Sequence, residues 1–191
     1  MYDKKYYETL NYVNYLDRKL KYVKHAQEIQ TLLSSFNLLP YDSKILDYGC
    51  ATGFLLESFK DLGYTNISGY DISDWATDEC IKKGLQVSKH VPMGNYDLIC
   101  CLDVLEHMSD ENIIDVFSKI SSKMLLVRIP CSTDGVDFHL DISKIDPTHI
   151  NCKTKDQWLT LLKKLGYNFF LSINTHTIYD SDGVMCYLCF N

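Results

Sequence analysis

The feature that most constrains the fold is the regular alternation of short apolar runs with helical stretches from residue 44 onward. Most of the runs are apolar at consecutive positions, which is typical of parallel strands buried on both faces. The last two runs flank a turn at Asp180–Gly183 and predict an antiparallel hairpin. The pattern therefore predicts an α/β fold with a doubly wound, mostly parallel seven-stranded sheet and a C-terminal antiparallel hairpin. The expected strands are 44–48, 66–70, 85–89, 96–102, 124–129, 168–174 and 184–190.

Between these strands, apolar residues recur with helical spacing. The spacing predicts helices at 53–62, 74–83, 110–121 and 155–165. Asp110 is the expected N-cap of the third helix. Because a doubly wound sheet binds its ligands beyond the carboxyl ends of the strands, we expect functional residues after Tyr48, Tyr70, Leu102 and Ile129.

Residues 1–38 differ in composition from the rest of the chain. They contain several lysines, no glycine or proline, and six tyrosines, namely Tyr2, Tyr6, Tyr7, Tyr12, Tyr15 and Tyr22. Apolar residues three and four positions apart predict one or two amphipathic helices, which Pro40 ends. We therefore expect a helical lid over residues 1–40 and one principal domain over residues 41–191, which suits a chain of 191 residues.

Composition excludes several classes of protein. The net charge of −6 argues against a general nucleic-acid surface, so a DNA partner is not expected. No apolar run approaches the roughly 20 residues that a membrane helix needs, and the N-terminus does not resemble a secretory signal. The eight cysteines are interpreted as free packing thiols in a reducing cytoplasm. The sequence does not predict an oligomeric state.

The turn after the first strand, Asp47-Tyr-Gly-Cys-Ala-Thr-Gly53, contains small residues that let another group approach the backbone closely. It is not a dinucleotide fingerprint, because Ala51 and Phe54 break the G-x-G-x-x-G pattern. It is not a G-x-x-x-x-G-K-[ST] phosphate loop either. A tight strand–helix turn that binds nothing remains an alternative.

Acidic residues follow two further strands. Asp71 ends the second strand, where a carboxylate can accept both hydroxyls of a ribose, and the alternative is a helix N-cap or a solvated turn residue. Ser73 and Asp74 could equally cap the next helix. Asp103, Glu106 and His107 follow the fourth strand. Asp103 and Glu106 could bind a metal that chelates a catechol-like acceptor. Their spacing alone does not establish such a site, so no metal is predicted.

Together these segments resemble the class I S-adenosylmethionine-dependent methyltransferases. The 47–53 turn resembles the first motif of that family, D-x-G-x-G-x-G, with Ala51 in place of the middle glycine. Tyr96-Asp-Leu-Ile followed by Val104-Leu-Glu-His107 is similar to the F-D-x-I…V-L-E-H segment of small-molecule methyltransferases, including the ubiquinone-biosynthesis O-methyltransferase type. Thr148-His-Ile-Asn151 is similar to their H-x-N segment. The resemblance covers about residues 42–191 and implies a Rossmann-like fold.

The resemblance implies S-adenosyl-L-methionine as the cofactor and S-adenosyl-L-homocysteine as its product. It implies that the turn cradles the methionine part of the cofactor through Asp47, Gly49, Cys50, Ala51 and Gly53. Asp71 would hold the ribose, Ile72 would flank the adenine, and Asp103 would also contact the cofactor. Ser88-Lys-His90 stands where many relatives have an aspartate that reads the adenine amino group, so a backbone contact would have to replace it.

The function that this resemblance implies is in-line methyl transfer to a small-molecule acceptor, at oxygen. Because the methyl group is already activated on a sulfonium, the protein mainly has to position the nucleophile. A hydroxyl acceptor also gains from a general base, and histidine is suited to that role at neutral pH. His149 is the favoured base, His107 is the second candidate, and His139 is a third.

Three other functions remain open from the sequence. The first is methylation of a macromolecule, which could be a protein, an RNA or a glycan. The second is a protein that binds the cofactor without turnover. The third is a nucleotide-cofactor oxidoreductase, which Ala51 and Phe54 disfavour.

Overall fold

The computed structural model describes residues 2–8 and 15–191. Its strands are β1 Ile45–Tyr48, β2 Ile67–Tyr70, β3 Val87–Ser88, β4 Gly94–Leu102, β5 Ile120–Pro130, β6 Phe169–Ser172 and β7 Val184–Phe190. They form one seven-stranded sheet in the order β3-β2-β1-β4-β5-β7-β6. Neighbours β1, β2 and β3 run parallel, whereas β7 runs antiparallel to both β5 and β6. The predicted α/β class, the seven strands and the C-terminal hairpin are confirmed.

Six α-helices and three 3-10 turns accompany the sheet in the described residues. The α-helices are α1 Lys19–Ser34, α2 Phe54–Asp61, α3 Asp74–Lys82, α4 Asp110–Lys119, α5 Asp141–Lys144 and α6 Lys155–Lys164. The 3-10 turns are Tyr6–Glu8, Tyr15–Arg18 and Leu105–His107. None of the helices in this part of the chain is long and apolar enough to cross a membrane.

The chain divides into two compact units. The first comprises residues 1–92 and 96–99, and the second comprises residues 93–95 and 100–191. In the first unit, β1 is buried at all four positions, as expected of a strand covered on both faces. In the second unit, the largest fully buried side chain is Trp158 of α6. Its helix begins with a capping box, in which Thr154 and Gln157 each satisfy the other's backbone N–H.

The boundary between α4 and β5 differs from the expectation. Ser109, not Asp110, caps α4, because its hydroxyl accepts the N–H of Asn112. The helix ends at Lys119, and β5 begins at Ile120, so residues 120 and 121 are strand and not helix. Burial there alternates with a period of two, which is the signature of a half-covered strand. The expected helix was too long because no helix-breaking residue marks the junction in the sequence.

The N-terminal expectation is met in part. A 16-residue helix, α1, and the 3-10 turns at residues 6–8 and 15–18 fall within the predicted helical region. Tyr12 lies outside the described residues.

Candidate functional site

The turn between β1 and α2 has an unusual backbone. Gly49, Ala51 and Gly53 have φ angles of 84°, 47° and 78°, which lie in the left-handed region that favours glycine. The N–H groups of Gly49 and Cys50 both donate to the Tyr70 carbonyl oxygen at the end of β2. The turn is therefore tied to the neighbouring strand, and its three left-handed residues explain the small side chains that the sequence carries there.

Asp71, which follows β2, fixes the middle of this turn. One carboxylate oxygen accepts the N–H of Ala51 at 2.7 Å, and the other accepts the N–H of Ser73 at 2.8 Å. Burial raises the pKa of Asp71, although both N–H donors oppose the shift. Asp71 therefore holds the loop that precedes α2, a structural role that the sequence did not predict.

Asp47 is the second buried carboxylate of the first unit. Burial, and then the nearby Asp71 carboxylate, raise the pKa of Asp47 to about 7. Among the described residues, neither Asp47 nor Asp71 has a lysine or arginine partner. Two buried acidic groups without a cation favour a ligand that brings positive charge.

The remaining residues predicted for this site have different environments. The Cys50 side chain is buried in a small cluster with Leu56, Cys80 and Leu85, so only its backbone belongs to the turn surface. Ile72, directly after Asp71, is 66% exposed and is free to contact a bound group. Cys50 can therefore contribute only its backbone to a ligand at this turn, whereas the Ile72 side chain is accessible.

Aromatic residues of the N-terminal segment cover the same region of the first unit. Tyr15 stacks on Phe54 at the start of α2 with ring centroids 5.4 Å apart, and Tyr7 lies 5.2 Å from Trp75 in α3. Ala51 packs against this cluster. Ser73 donates a hydrogen bond from its hydroxyl to the Tyr2 carbonyl oxygen. The N-terminal tyrosines thus contact the turn at 49–54 and the start of α3.

In the second unit, Asp103 directly follows β4 and has a φ angle of 57°. Its N–H donates to the Arg128 carbonyl oxygen at 2.7 Å, and its carboxylate lies 3.5 Å from Arg128 Nε. Arg128 belongs to β5 and was not singled out as a partner by the sequence. Asp103 is therefore held by an arginine on the adjacent strand.

The second unit also brings together Glu106, His107 and His149. Glu106 Oε1 lies 3.9 Å from Nε2 of each histidine, and the two imidazole rings are 4.7 Å apart. Glu106 is fully buried, and neither carboxylate oxygen accepts a hydrogen bond from any other described residue. Burial, and then the Asp103 carboxylate, raise the pKa of Glu106 well above its usual range. Burial, and then His149, lower the pKa of His107 to about 4.

Hydrogen bonds on the far side of each imidazole fix which nitrogen carries the proton. His149 Nδ1 lies 2.8 Å from the Ser143 carbonyl oxygen, which can only accept. The Thr148 hydroxyl donates to Asp146 at 2.6 Å, so it accepts from His107 Nδ1, which is 2.9 Å away. Both histidines therefore carry a proton on Nδ1, and Nε2 is the ring nitrogen of each that lies nearer Glu106.

The backbone joins the two segments that carry this cluster. The N–H groups of Ile150 and Asn151 both donate to the Glu106 carbonyl oxygen, and the Asn151 amide donates to Asp110 at 2.9 Å. The H-x-N segment noted in the sequence is thus attached to the segment after β4. His139, the third candidate base, is not part of the group formed by Glu106, His107 and His149.

Sequence reasoning missed the supporting residues of this cluster and the group itself. Thr148 directly precedes His149, and Asp146 lies two residues before Thr148. Two polar residues so close to a histidine are the signal that could have indicated an orienting contact. From the sequence, Asp103 and Glu106 are possible metal ligands, but their spacing does not predict a metal site. The structure pairs Asp103 with Arg128 and surrounds Glu106 with imidazole nitrogens.

Two curated relatives match part of the chain. The ubiquinone biosynthesis O-methyltransferase of Escherichia coli O139:H28 (strain E24377A / ETEC) is 32% identical over 85 residues, covering 37% of this chain and 34% of the relative. That of Shewanella pealeana (strain ATCC 700345 / ANG-SQ1) is 28% identical over 81 residues, covering 36% and 34%. The chain therefore matches about a third of the length of these relatives.

Solved structures show the same fold over nearly the whole chain. Magnesium protoporphyrin IX methyltransferase from Synechocystis PCC 6803 with bound SAH has a TM-score of 0.62 at 18% identity, covering 98% of this chain and 92% of that one. A SAM dependent methyltransferase from Archaeoglobus fulgidus has a TM-score of 0.61 at 18% identity, covering 94% and 100%. At such identities the likeness shows the fold alone.

The family comparison reaches further than the fold. Residues 16–170, which include the 47–53 turn, Asp71 and the histidine cluster, match the family described as "Methyltransferase domain". The match covers most of the chain, and it agrees with the family resemblance that the sequence motifs carry. The chain therefore belongs to the methyltransferase-domain family.

Proposed function

We propose that this protein binds S-adenosyl-L-methionine and transfers its methyl group to an oxygen of a small-molecule acceptor, with S-adenosyl-L-homocysteine as the product. The observation that carries the proposal is the strand–turn–helix at residues 45–61, whose left-handed turn is tied to Asp71. The match to the methyltransferase-domain family supports the reaction class. The partial similarity to ubiquinone biosynthesis O-methyltransferases supports the small-molecule acceptor and the oxygen.

The residues of the first unit suit this cofactor. When bound, S-adenosyl-L-methionine supplies a methyl group activated on a sulfonium. The two buried carboxylates without a cationic partner match a ligand that carries ammonium and sulfonium charges. Each oxygen of Asp71 accepts one N–H and retains a second lone pair, so the carboxylate can still accept from two ribose hydroxyls.

We assign the cofactor roles on this basis. Asp47, Gly49, Cys50, Ala51 and Gly53 hold the amino-acid part, with Cys50 contributing only its backbone. Asp71 holds the ribose, Ile72 covers the adenine, and Asp103 is a further contact. Ser88 to His90 is the segment we assign to adenine recognition through the backbone.

On the acceptor side we propose His149 as the general base, with His107 as the second candidate. Nδ1 of His149 is committed to the Ser143 carbonyl oxygen, and Nδ1 of His107 is committed to Thr148. The Nε2 atom is therefore the position at which either side chain would take the proton of an acceptor hydroxyl.

Residues 1–40 are proposed to form a lid over the cofactor, with residues 41–191 as the catalytic domain. The contacts of Tyr7 and Tyr15 with Trp75 and Phe54 support this role. A reducing cytoplasm is part of the proposal, and it is supported by eight free thiols, seven of which are buried. The net charge of −6 supports an acceptor other than DNA.

Calorimetry with S-adenosyl-L-methionine, S-adenosyl-L-homocysteine and NAD tests the cofactor. We expect both S-adenosyl compounds to bind and NAD not to bind, and a preference for NAD would overturn the proposal. A panel of hydroxyl, amine, peptide and RNA acceptors then tests turnover. Methylation of a peptide or RNA alone would replace the small-molecule assignment, and binding without turnover on any acceptor would indicate a silent cofactor-binding protein.

A further inference from the structure

Two thiols of the first unit lie together beside the turn at 49–53. Cys50 belongs to that turn, Cys80 belongs to α3, and both side chains are buried. We propose that Cys50 and Cys80 are a modification site, at which a reversible disulfide bond forms, distorts the turn and weakens cofactor binding. The effect on the cofactor rests on the function proposed above, whereas formation of the bond does not.

The two thiols contact the same carbonyl oxygen and each other. The Cys80 thiol donates to the Ala51 carbonyl oxygen at 3.2 Å, and Cys50 Sγ lies 3.8 Å from the same oxygen. The side chains of Cys50 and Cys80 also share a hydrogen bond. A contact of this kind shortens to about 2.05 Å when a disulfide forms. The bond therefore joins side chains that already touch, and no distant segment has to move to bring them together.

Close packing against two glycines keeps both thiols in this position. A Cβ atom at Gly69 would lie 2.7 Å from Cys50 Sγ, and a Cβ atom at Gly53 would lie 2.8 Å from Cys80 Sγ. Both distances are shorter than a real Cβ contact, so any larger residue at these two positions would displace a thiol. The fold thus holds each sulfur atom against a glycine backbone and next to the other sulfur atom.

The backbone of Cys50 transmits the change to the turn. It lies between Gly49 and Ala51, which both have left-handed conformations, and its N–H donates to the Tyr70 carbonyl oxygen at 3.0 Å. The cysteine side chain has a single torsion between Cα and Sγ, so drawing Sγ toward α3 also pulls on this backbone. The disulfide therefore displaces the segment that we assign to the amino-acid part of the cofactor.

A hydroperoxide is the oxidant that balances the reaction. The Cys50 thiol reacts with hydrogen peroxide to give a sulfenic acid and one water, and the Cys80 thiol then forms the disulfide and releases a second water. The two thiols together lose two electrons and two protons, which reduce the peroxide. The hydrogen bond to Cys80, and then burial, raise the pKa of Cys50, so the reaction needs the turn to open. A bound cofactor holds the turn closed and thereby protects the thiols.

Treatment of the reduced full chain with hydrogen peroxide, followed by peptide mass spectrometry without reductant, tests the site. We expect a cross-linked peptide pair that contains Cys50 and Cys80 and is lighter by two hydrogen atoms than the reduced peptides. Calorimetry should show S-adenosyl-L-homocysteine binding at least about tenfold more weakly to the oxidised protein, with recovery in dithiothreitol. In a glutathione redox buffer, saturating S-adenosyl-L-homocysteine should lower the ratio of oxidised to reduced protein by the same factor.

Two serine variants separate this pair from the other thiols. Cys80→Ser keeps a donor for the Ala51 carbonyl oxygen, so the reduced variant should bind S-adenosyl-L-homocysteine like the wild type and should not respond to peroxide. Cys152→Ser removes the one cysteine that is not buried, and it should respond like the wild type. Circular dichroism establishes that each variant is folded, and Cys80→Ala replaces Cys80→Ser if the serine variant is not.

Three results would overturn the site. They are absence of the cross-link in wild type and Cys152→Ser, unchanged affinity of the cross-linked protein, and an equal loss of affinity in peroxide-treated Cys80→Ser. Failure of the reduced wild type to bind S-adenosyl-L-homocysteine would instead overturn the proposed cofactor. Mass spectrometry would still decide whether Cys50 and Cys80 form the bond, so the two failures are distinguishable.

Discussion

Ala51 donates its N–H to the Asp71 carboxylate at 2.7 Å while holding a φ angle of 47°. The hydrogen bond spans two connections of the first unit, from the turn after β1 to the residue after β2. It offsets the strain of a left-handed residue that has a Cβ atom. This pair is the structural reason why the turn keeps its shape without the middle glycine of the related motif.

We expect Ala51→Gly to stabilise the protein. A residue with a Cβ atom in the left-handed region costs about 1–2 kcal/mol, and glycine does not carry that cost. Some packing against the aromatic cluster is lost, so the free energy of unfolding should rise by about 1 kcal/mol. Urea denaturation measures this free energy of unfolding. A fall would show that packing of the Ala51 methyl group stabilises the protein by more than the left-handed backbone conformation costs.

Asp71→Asn should weaken both the turn and cofactor binding. Asparagine has one acceptor oxygen for the two N–H groups, so the unfolding free energy should fall by about 1–3 kcal/mol. We expect the affinity for S-adenosyl-L-homocysteine to fall at least tenfold, measured by calorimetry. Asp74→Asn is the matched control, since Asp74 is exposed and pairs with Lys89. Unchanged affinity in Asp71→Asn would remove Asp71 from the cofactor site.

Asp47 should make cofactor affinity depend on pH. Its pKa is raised to about 7, so the unliganded carboxyl is partly protonated near neutrality. A protonated Asp47 cannot pair with the ammonium of S-adenosyl-L-homocysteine, so binding releases a proton. Affinity should therefore rise by up to about tenfold per pH unit below the pKa and level off above it. Calorimetry from about pH 5.5 to about pH 8 measures this, and the slope should disappear in Asp47→Asn.

The proposed lid can be tested with Tyr7→Ala. Tyr7 is 6% exposed and packs against both Tyr15 and Trp75. Loss of the Tyr7 ring should release the N-terminal segment and expose Trp75 to solvent. Trp158 stays fully buried, so its contribution to the fluorescence should not change. We expect a red-shifted fluorescence spectrum and faster dissociation of S-adenosyl-L-homocysteine in stopped flow.

Tyr179→Ala provides the comparison for the lid test, because it removes a tyrosine that is 43% exposed and belongs to the second unit. It should leave both the fluorescence and the dissociation rate unchanged. A Tyr7→Ala protein that is folded and releases the cofactor at the wild-type rate would contradict a lid.

The amino-acid sequence by itself determined the fold class, because β strands buried on two faces need consecutive apolar residues. It also located the turn at 47–53, since left-handed backbone restricts residue size locally. The predicted end of the helix at 110–121 was wrong because the local residue pattern there does not distinguish helix from strand. Ile120 and Ser121 follow a helix without a breaking residue, and only pairing within the sheet makes them strand.

Other features depended on contacts between distant residues. In the sequence, Glu106 and His107 are adjacent, but His107 and His149 are 42 residues apart. Tertiary structure alone places both Nε2 atoms 3.9 Å from one buried carboxylate. It also places Arg128 Nε 3.5 Å from the Asp103 carboxylate, while no other residue in the described part of the chain donates a hydrogen bond to the Glu106 carboxylate. The physical reason is that desolvation and ligand geometry depend on which side chains surround a group, and local residue patterns do not specify those neighbours.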